Sequence, residues 1–165
     1  MFEGVRRWYW LAGAGLVLIV VAVFLLWPEP EEPRARQYHD VSACLLTDQK
    51  GLNGSDAAIV WAGMQDASAK TLGQVRYLAI SGPQDVANGR TFVGSLVLSR
   101  CAVIVAAGAL PVETVNAVAR EHPSQKFLIV GGSPALGNIS AVSGSDDAAV
   151  RAAVADGVTP FLKAA

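Results

Sequence analysis

The ten residues TDQKGLNGSD, positions 47–56, place two aspartates, two glycines and an asparagine between an apolar run and a helical pattern. Asp48 and Asp56 are the best material in the chain for acid–base work, which needs one carboxyl to give a proton and another to take it. The simpler assignment is a strand-end residue and a helix-start residue, because carboxylates favour the positive end of a helix. A loop of this composition is also suited to holding a small ligand, with short polar side chains and accessible backbone. The residue types leave both readings open.

Other reactive material is sparse. His39 and His122 are the two histidines, and Cys44 and Cys101 the two cysteines, with no metal-ligand spacing between them. A Ser-His-Asp or Cys-His site has little to draw on. Ser133 lies in GGSPALG, which is no G-x-S-x-G elbow and reads as a turn. No G-x-x-x-x-G-K-[ST] loop occurs, and no G-x-G-x-x-G follows a strand. Neither an enzyme nor a cofactor nor a metal centre is therefore expected. His122 stands before Pro123 at a helix end, where the helix dipole accounts for it, and His39 reads as solvated. Asn53-Gly54-Ser55 and Asn138-Ile139-Ser140 fit the N-glycosylation pattern.

The elements that must position these residues alternate regularly. VSACLLT (41–47), QVRYLAI (74–80), AVIVAAG (102–108) and KFLIVGG (126–132) are short apolar runs of buried-strand type, and NISAVS (138–143) is a shorter fifth. Between them, residues 55–72, 85–100 and 111–122 show helical spacing. Asn53 or Ser55 is the expected cap of the first helix and Gly73 its stop. Pro111 suits the first turn of the third. A last helix is expected from an N-cap at Ser145, interrupted by Gly157 and Pro160. Strand–helix alternation predicts an α/β fold, a Rossmann-like doubly wound parallel sheet of four to five strands. Ligands of such sheets bind beyond the carboxyl ends of the strands, here residues 48–53, 81–84, 108–110 and 131–133.

With strand order 2-1-3-4, Cys44 and Cys101 fall toward the same end of neighbouring strands. A disulfide forms if their Cα atoms approach within about 7 Å; two buried thiols are the alternative.

Residues 8–28, WYWLAGAGLVLIVVAVFLLWP, carry no charge over 21 positions. At about 1.5 Å per residue they span roughly 30 Å, the thickness of a bilayer's hydrocarbon core, with aromatic residues at both ends. The run is longer than a signal-peptide core, and no A-x-A-like site follows, so an uncleaved anchor is expected. Arg6 and Arg7 precede it while Glu29, Glu31 and Glu32 follow. Residues 1–7 are thus read as cytoplasmic, 8–28 as a single-pass transmembrane helix in the cell membrane, and 29–40 as a stiff Pro/Glu-rich linker. Residues 41–165 are read as an extracytoplasmic lobe. The chain beyond the run holds 13 of the 14 acidic and 11 of the 13 basic residues without a basic block, which argues against nucleic acid.

Three segments carry a resemblance to a known family: ACLLTDQKGLNGSDAAIVWAGMQDAS (43–68), CAVIVAAGA (101–109) and AREHPSQKFLIVGG (119–132). In order and spacing the body resembles the basic membrane protein (BMP) family, nucleoside-binding components of ABC transporters with a type 1 periplasmic-binding fold. The resemblance implies a solute-binding module, with Asp48, Asn53, Ser55, Gly108 and Gly131 at the ligand. It implies a small solute such as a nucleoside, and an ABC transporter permease or a second copy as partner. Two departures stand out: Ser55-Asp56-Ala57 replaces the family's Ser-Phe-Asn, and Gly131 its strand-end Asp. A one-lobe interaction or sensory module without a small ligand is the alternative.

Overall fold

Every residue of the run Phe127–Ile129 is buried, although successive strand side chains point to opposite faces. Such a strand needs cover on both sides, as in a parallel sheet between two helical layers. The computed structural model describes residues 37–163 and shows this arrangement. The elements are β1 (His39–Thr47), α1 (Ser55–Thr71), β2 (Gly73–Ala79), α2 (Val86–Leu98), β3 (Val103–Ala106), α3 (Ala109–Val118), β4 (Phe127–Val130), β5 (Ile139–Val142) and α4 (Asp147–Lys163). Short 3-10 turns occupy Gly51–Asn53 and Ala119–Glu121.

The five strands are parallel in the order β2-β1-β3-β4-β5. Alternate strand residues feed two cores. Leu46, Ile104, Phe127 and Ile129 pack on the side of α2 and α3, and Leu45, Val105 and Leu128 pack on the side of α1 and α4. Each fully buried Leu, Ile or Phe contributes about 1.5–3 kcal/mol. The polar side chains enclosed with them are satisfied: Ser68 Oγ donates to the Gly73 carbonyl at 2.6 Å and Thr114 Oγ1 to that of Leu110 at 2.8 Å.

Glycines set how closely the helices approach. A Cβ on Gly63 of α1 would stand 2.5 Å from the Arg151 carbonyl oxygen of α4, and one on Gly89 of α2 would stand 2.5 Å from Thr114 Oγ1 of α3. Arg151 adds a fork to Asp66 across the α1–α4 seam, Nε to Oδ2 at 2.6 Å and Nη2 to Oδ1 at 2.8 Å.

Several expected boundaries move. The first strand begins at His39 rather than 41, so His39 and Asp40 leave the linker, and the His39 amide donates to the Leu72 carbonyl at 2.8 Å. Neither Asn53 nor Ser55 caps α1: Gly54 is the N-cap residue, and Ser55 Oγ donates instead to Asp56 Oδ1 at 3.1 Å. Gly73 does not end that helix. Leu72 takes the left-handed turn at φ 58°, and Gly73 serves the packing instead, standing where a Cβ would fall 2.8 Å from Leu162. Asp146, not Ser145, caps α4, accepting from the Ala149 amide at 2.8 Å.

That helix also runs unbroken through Gly157 and Pro160. The carbonyl that Pro160 leaves without an amide is that of Asp156, an exposed residue able to turn to water, while Val154, Val158 and Leu162 hold the helix to the sheet. Among the described residues no helix is long and apolar enough to cross a membrane. The apolar run 8–28 and the anchor expected there lie outside the described residues.

Cys44 and Cys101 form a disulfide with Cα atoms 5.8 Å apart. Both are buried, Cys44 in mid-strand because β1 starts early, and Cys101 just before β3.

Candidate functional site

The chain leaves β1 toward β2 on one side and returns to β3 on the other, so the strand order reverses between β1 and β3. At such a reversal the connecting loops diverge and leave a crevice. Two cavities lie there. The larger, about 470 Å³, is bounded by the ends of β3, β4 and β5 and by the first turns of α1, α3 and α4. The smaller, about 120 Å³, lies under the loop after β1, and the two meet at Asp56 and Gly108.

The β1 loop is built on Asp48. Its Oδ1 accepts from the Lys50 amide at 2.8 Å and its carbonyl from the Gly51 amide at 3.1 Å, which folds the turn and puts Gly51 at φ 57°. The loop is tied to its neighbour by the Gln49 amide donating to Gln84 Oε1 at 3.1 Å. Asp48 therefore shapes the turn and also lines the smaller cavity, together with Ser55 and Asp56.

Gly108 ends the β3 segment at φ 96° and Gly131 ends β4 at φ 76°. These are left-handed conformations that a side chain resists. Nothing lies within 4 Å of where a Gly131 Cβ would be, so the glycine is required by the bend and leaves its backbone open to the cavity. Ile59, Val112, Val130 and Val150 supply apolar wall, while Asp56 and Asp147 stand at the first turns of α1 and α4. Among the described residues, the lining of the larger cavity holds no aromatic ring, histidine, cysteine or basic side chain. Carboxylates on an apolar, glycine-edged wall can accept hydrogen bonds from hydroxyl or ammonium groups.

Of the residues expected at a ligand, Asp48, Ser55 and Gly108 line the smaller cavity, and Gly108 and Gly131 the larger. Asn53 lines neither; its amide donates to the Lys50 carbonyl at 3.1 Å within the 3-10 turn, and its side chain is exposed to solvent. Sequence reasoning missed Asp147 and did not place Asp56 at a ligand. Their signal was present, as acidic residues at helix starts beside strand ends, but helix capping explained it equally well. The Asn138 sequon is spent structurally: its Nδ2 donates to the carbonyls of Ala119, His122 and Gln125 at 3.0, 3.1 and 3.2 Å. Among the described residues no cluster of His, Cys, Asp and Glu could hold a metal ion.

Solved structures match this arrangement of strands. A "putative lipoprotein" fragment from Peptoclostridium difficile 630 superposes with TM-score 0.58 at 18% identity, covering 74% of this chain and 98% of that one. ABC transporter system solute-binding proteins from Aeropyrum pernix K1 superpose with TM-score 0.50 at 20% identity, covering 61% of this chain. The body has a periplasmic-binding-like fold. The Aeropyrum match spans only 28% of that protein's chain, so this lobe corresponds to a part of it. No family model matches the sequence, and no curated protein matches it. The likeness to the BMP family therefore remains one of sequence wording, while the lobe's architecture stands on the superpositions.

Proposed function

We infer that the chain is a membrane-anchored, extracytoplasmic solute-binding module that acts by binding rather than by catalysis. The observation that carries this is the cavity of about 470 Å³ at the strand-order reversal, a volume within the roughly 300–1,000 Å³ of small-molecule sites. Its chemistry favours a solute with hydroxyl or ammonium groups, held by Asp56 and Asp147 and by backbone at Gly108 and Gly131. The BMP resemblance points to a nucleoside delivered to an ABC permease. The ribose hydroxyls suit the two carboxylates, but the family's stacking ring has no counterpart among the described residues that line the cavity. The anchor is residues 8–28, and a disulfide between buried cysteines suits the oxidising side of the membrane.

The test is thermal unfolding of the full chain in non-ionic detergent against nucleosides, bases, sugars and small amines. A ligand at 100 times its Kd stabilises by about 2.7 kcal/mol, a rise of roughly 5–10 °C at this chain length. Asp56→Asn or Asp147→Asn should weaken that ligand about tenfold or more. Flat melting curves across the set sink the reading. One observation favours an interaction module instead: the described residues form a single lobe, which leaves the cavity open on one side. That reading expects no thermal shift and a specific crosslinked protein from intact membranes.

A further inference from the structure

The two ends of the lobe carry opposite charge. Because all five strands are parallel, strand starts and helix ends gather at one end, and strand ends and helix starts at the other. The loops and first helical turns at the cavity end hold Asp48, Asp56, Asp85, Asp146 and Asp147 against Lys50, with Arg151 one turn further along α4. The opposite end presents Lys70, Arg100, Arg120, Lys126 and Lys163, all exposed. Its acidic residues are Asp40 and Glu121, with Asp66 one turn up α1 from Lys70; Arg90 engages Glu121 and Arg151 engages Asp66. Asp156 stands about 10 Å further up α4.

Hydrogen bonds knit this basic end into one surface. The His39 amide reaches the Leu72 carbonyl and the Ala102 amide that of Ser42, both at 2.8 Å. Gln125 Nε2 donates to the Cys101 carbonyl at 3.0 Å. Asn138 fastens the Ala119–Glu121 turn to Gln125. Of the four large apolar residues most exposed among the described residues, three lie here: Leu98 at 85%, Tyr38 at 48% and Leu72 at 36%. One exposed leucine needs no explanation. Leu98, two residues from Arg100 and sharing its end of the lobe with four further cations, forms part of a pattern.

We propose that this basic end docks on an anionic lipid surface. Cations attract acidic headgroups, and aliphatic and aromatic side chains beside them enter the headgroup boundary, the combination that interfacial binding uses. The chain selects a membrane over a protein partner by where it enters. It joins β1 at His39, at this same end, and eight residues, 29–36, separate the apolar run from the described body. At full extension they reach roughly 30 Å. The inference rests on residues 8–28 being the anchor, and it turns the acidic cavity away from the bilayer toward the solute.

The experiment reconstitutes the full chain in vesicles of phosphatidylcholine alone and of an equimolar mixture with phosphatidylglycerol. Amide hydrogen exchange is then read on peptides spanning residues 69–74 and 96–102, with 143–150 at the cavity end as reference. The expected result is slower exchange at the basic end in the anionic vesicles only, with the reference unchanged. Arg120→Glu with Lys126→Glu should remove that protection, since each basic residue at an anionic surface changes affinity about fivefold. Leu98→Asp should weaken it separately. All three side chains are exposed, so unchanged reference peptides certify the fold. Equal exchange in both vesicles overturns the proposal while leaving the anchor and the cavity untouched. Protection that follows protein density instead of lipid charge assigns the face to a second copy and overturns it too. Failure to associate with either vesicle overturns the anchor and this inference together.

Discussion

Gly63 and Gly94 both sit inside helices, and the same substitution should have opposite signs at the two. Replacing a helix-interior glycine by alanine gains about 0.5–1 kcal/mol by restricting the unfolded chain and improving helix propensity. At Gly94 nothing lies within 4 Å of the new Cβ, so the gain is realised in full, and Gly94→Ala should raise Tm by roughly 2–3 °C. At Gly63 the new Cβ would stand 2.5 Å from the Arg151 carbonyl oxygen and 3.0 Å from Val154 Cβ. Carbon contacts relax near 3.5 Å, so α1 and α4 must separate by roughly 1 Å. The oxygen belongs to the helix backbone and cannot swing aside. Overpacking of this kind costs about 1–3 kcal/mol, and after the propensity gain a net loss of about 1–2 kcal/mol remains, a fall of roughly 3–6 °C. Calorimetry of the full chain in detergent measures both. The two helices carry Asp56 and Asp147, so Gly63→Ala should also weaken any solute that uses both carboxylates. If Gly63→Ala is as stabilising as Gly94→Ala, the close approach of α1 and α4 is wrong.

Two further outcomes follow from cross-links in the fold. The Cys44–Cys101 bond spans 57 positions, and the chain-entropy relation gives about 4 kcal/mol for that loop. Cys44→Ala with Cys101→Ala should therefore lower Tm by roughly 10 °C, and thiol reagents should label the reduced protein only as it unfolds; a variant melting within a degree or two of the parent would refute this. At the α1–α4 seam, the Arg151 hydrogen bonds hold the Asp66 carboxyl below its ordinary value of 3.8, against a smaller effect of burial, with the charges of Arg151 and Lys70 assisting. A depressed folded value means the contribution is present above 3.8 and is lost as pH falls through the lower folded value. Urea midpoints of Asp66→Asn should thus fall less steeply with acidification than those of the parent, whereas parallel curves would show that the pair does not couple to folding.

The pattern of elements was legible because the two periodicities rarely conflict here. Runs such as FLIV (127–130) are apolar at every position, and a strand covered on both faces requires that; the cysteine pairing stayed conditional on strand order, with two buried thiols as the alternative, until the strands were seen side by side. What escaped was decided by contacts between distant segments. Gly73 looked like a helix stop, but Leu162 of α4 occupies the space where its side chain would be, which accounts for the glycine, and the left-handed turn falls on Leu72 instead. Pro160 looked like a helix end, but three buried residues of α4 outweigh one carbonyl released to water. The site shows the same division. Gly108 and Gly131 could be found from their place at strand ends, since backbone bends are local. Asp147 could not, because its membership depends on β5 and α4 arriving beside a loop some ninety residues earlier in the chain. Asp56 was visible but overdetermined: a helix start favours an acidic residue for its own dipole, and that preference hides any second use. The two uses separate only in space, where Asp56 lies on the shared edge of both cavities. An aspartate serving solely to begin α1 would do as well at another exposed position of the first turn. Moving the charge from position 56 to the exposed position 58, and not to the buried position 57, should then preserve stability, yet abolish the ligand response if the cavity is the reason the charge is there.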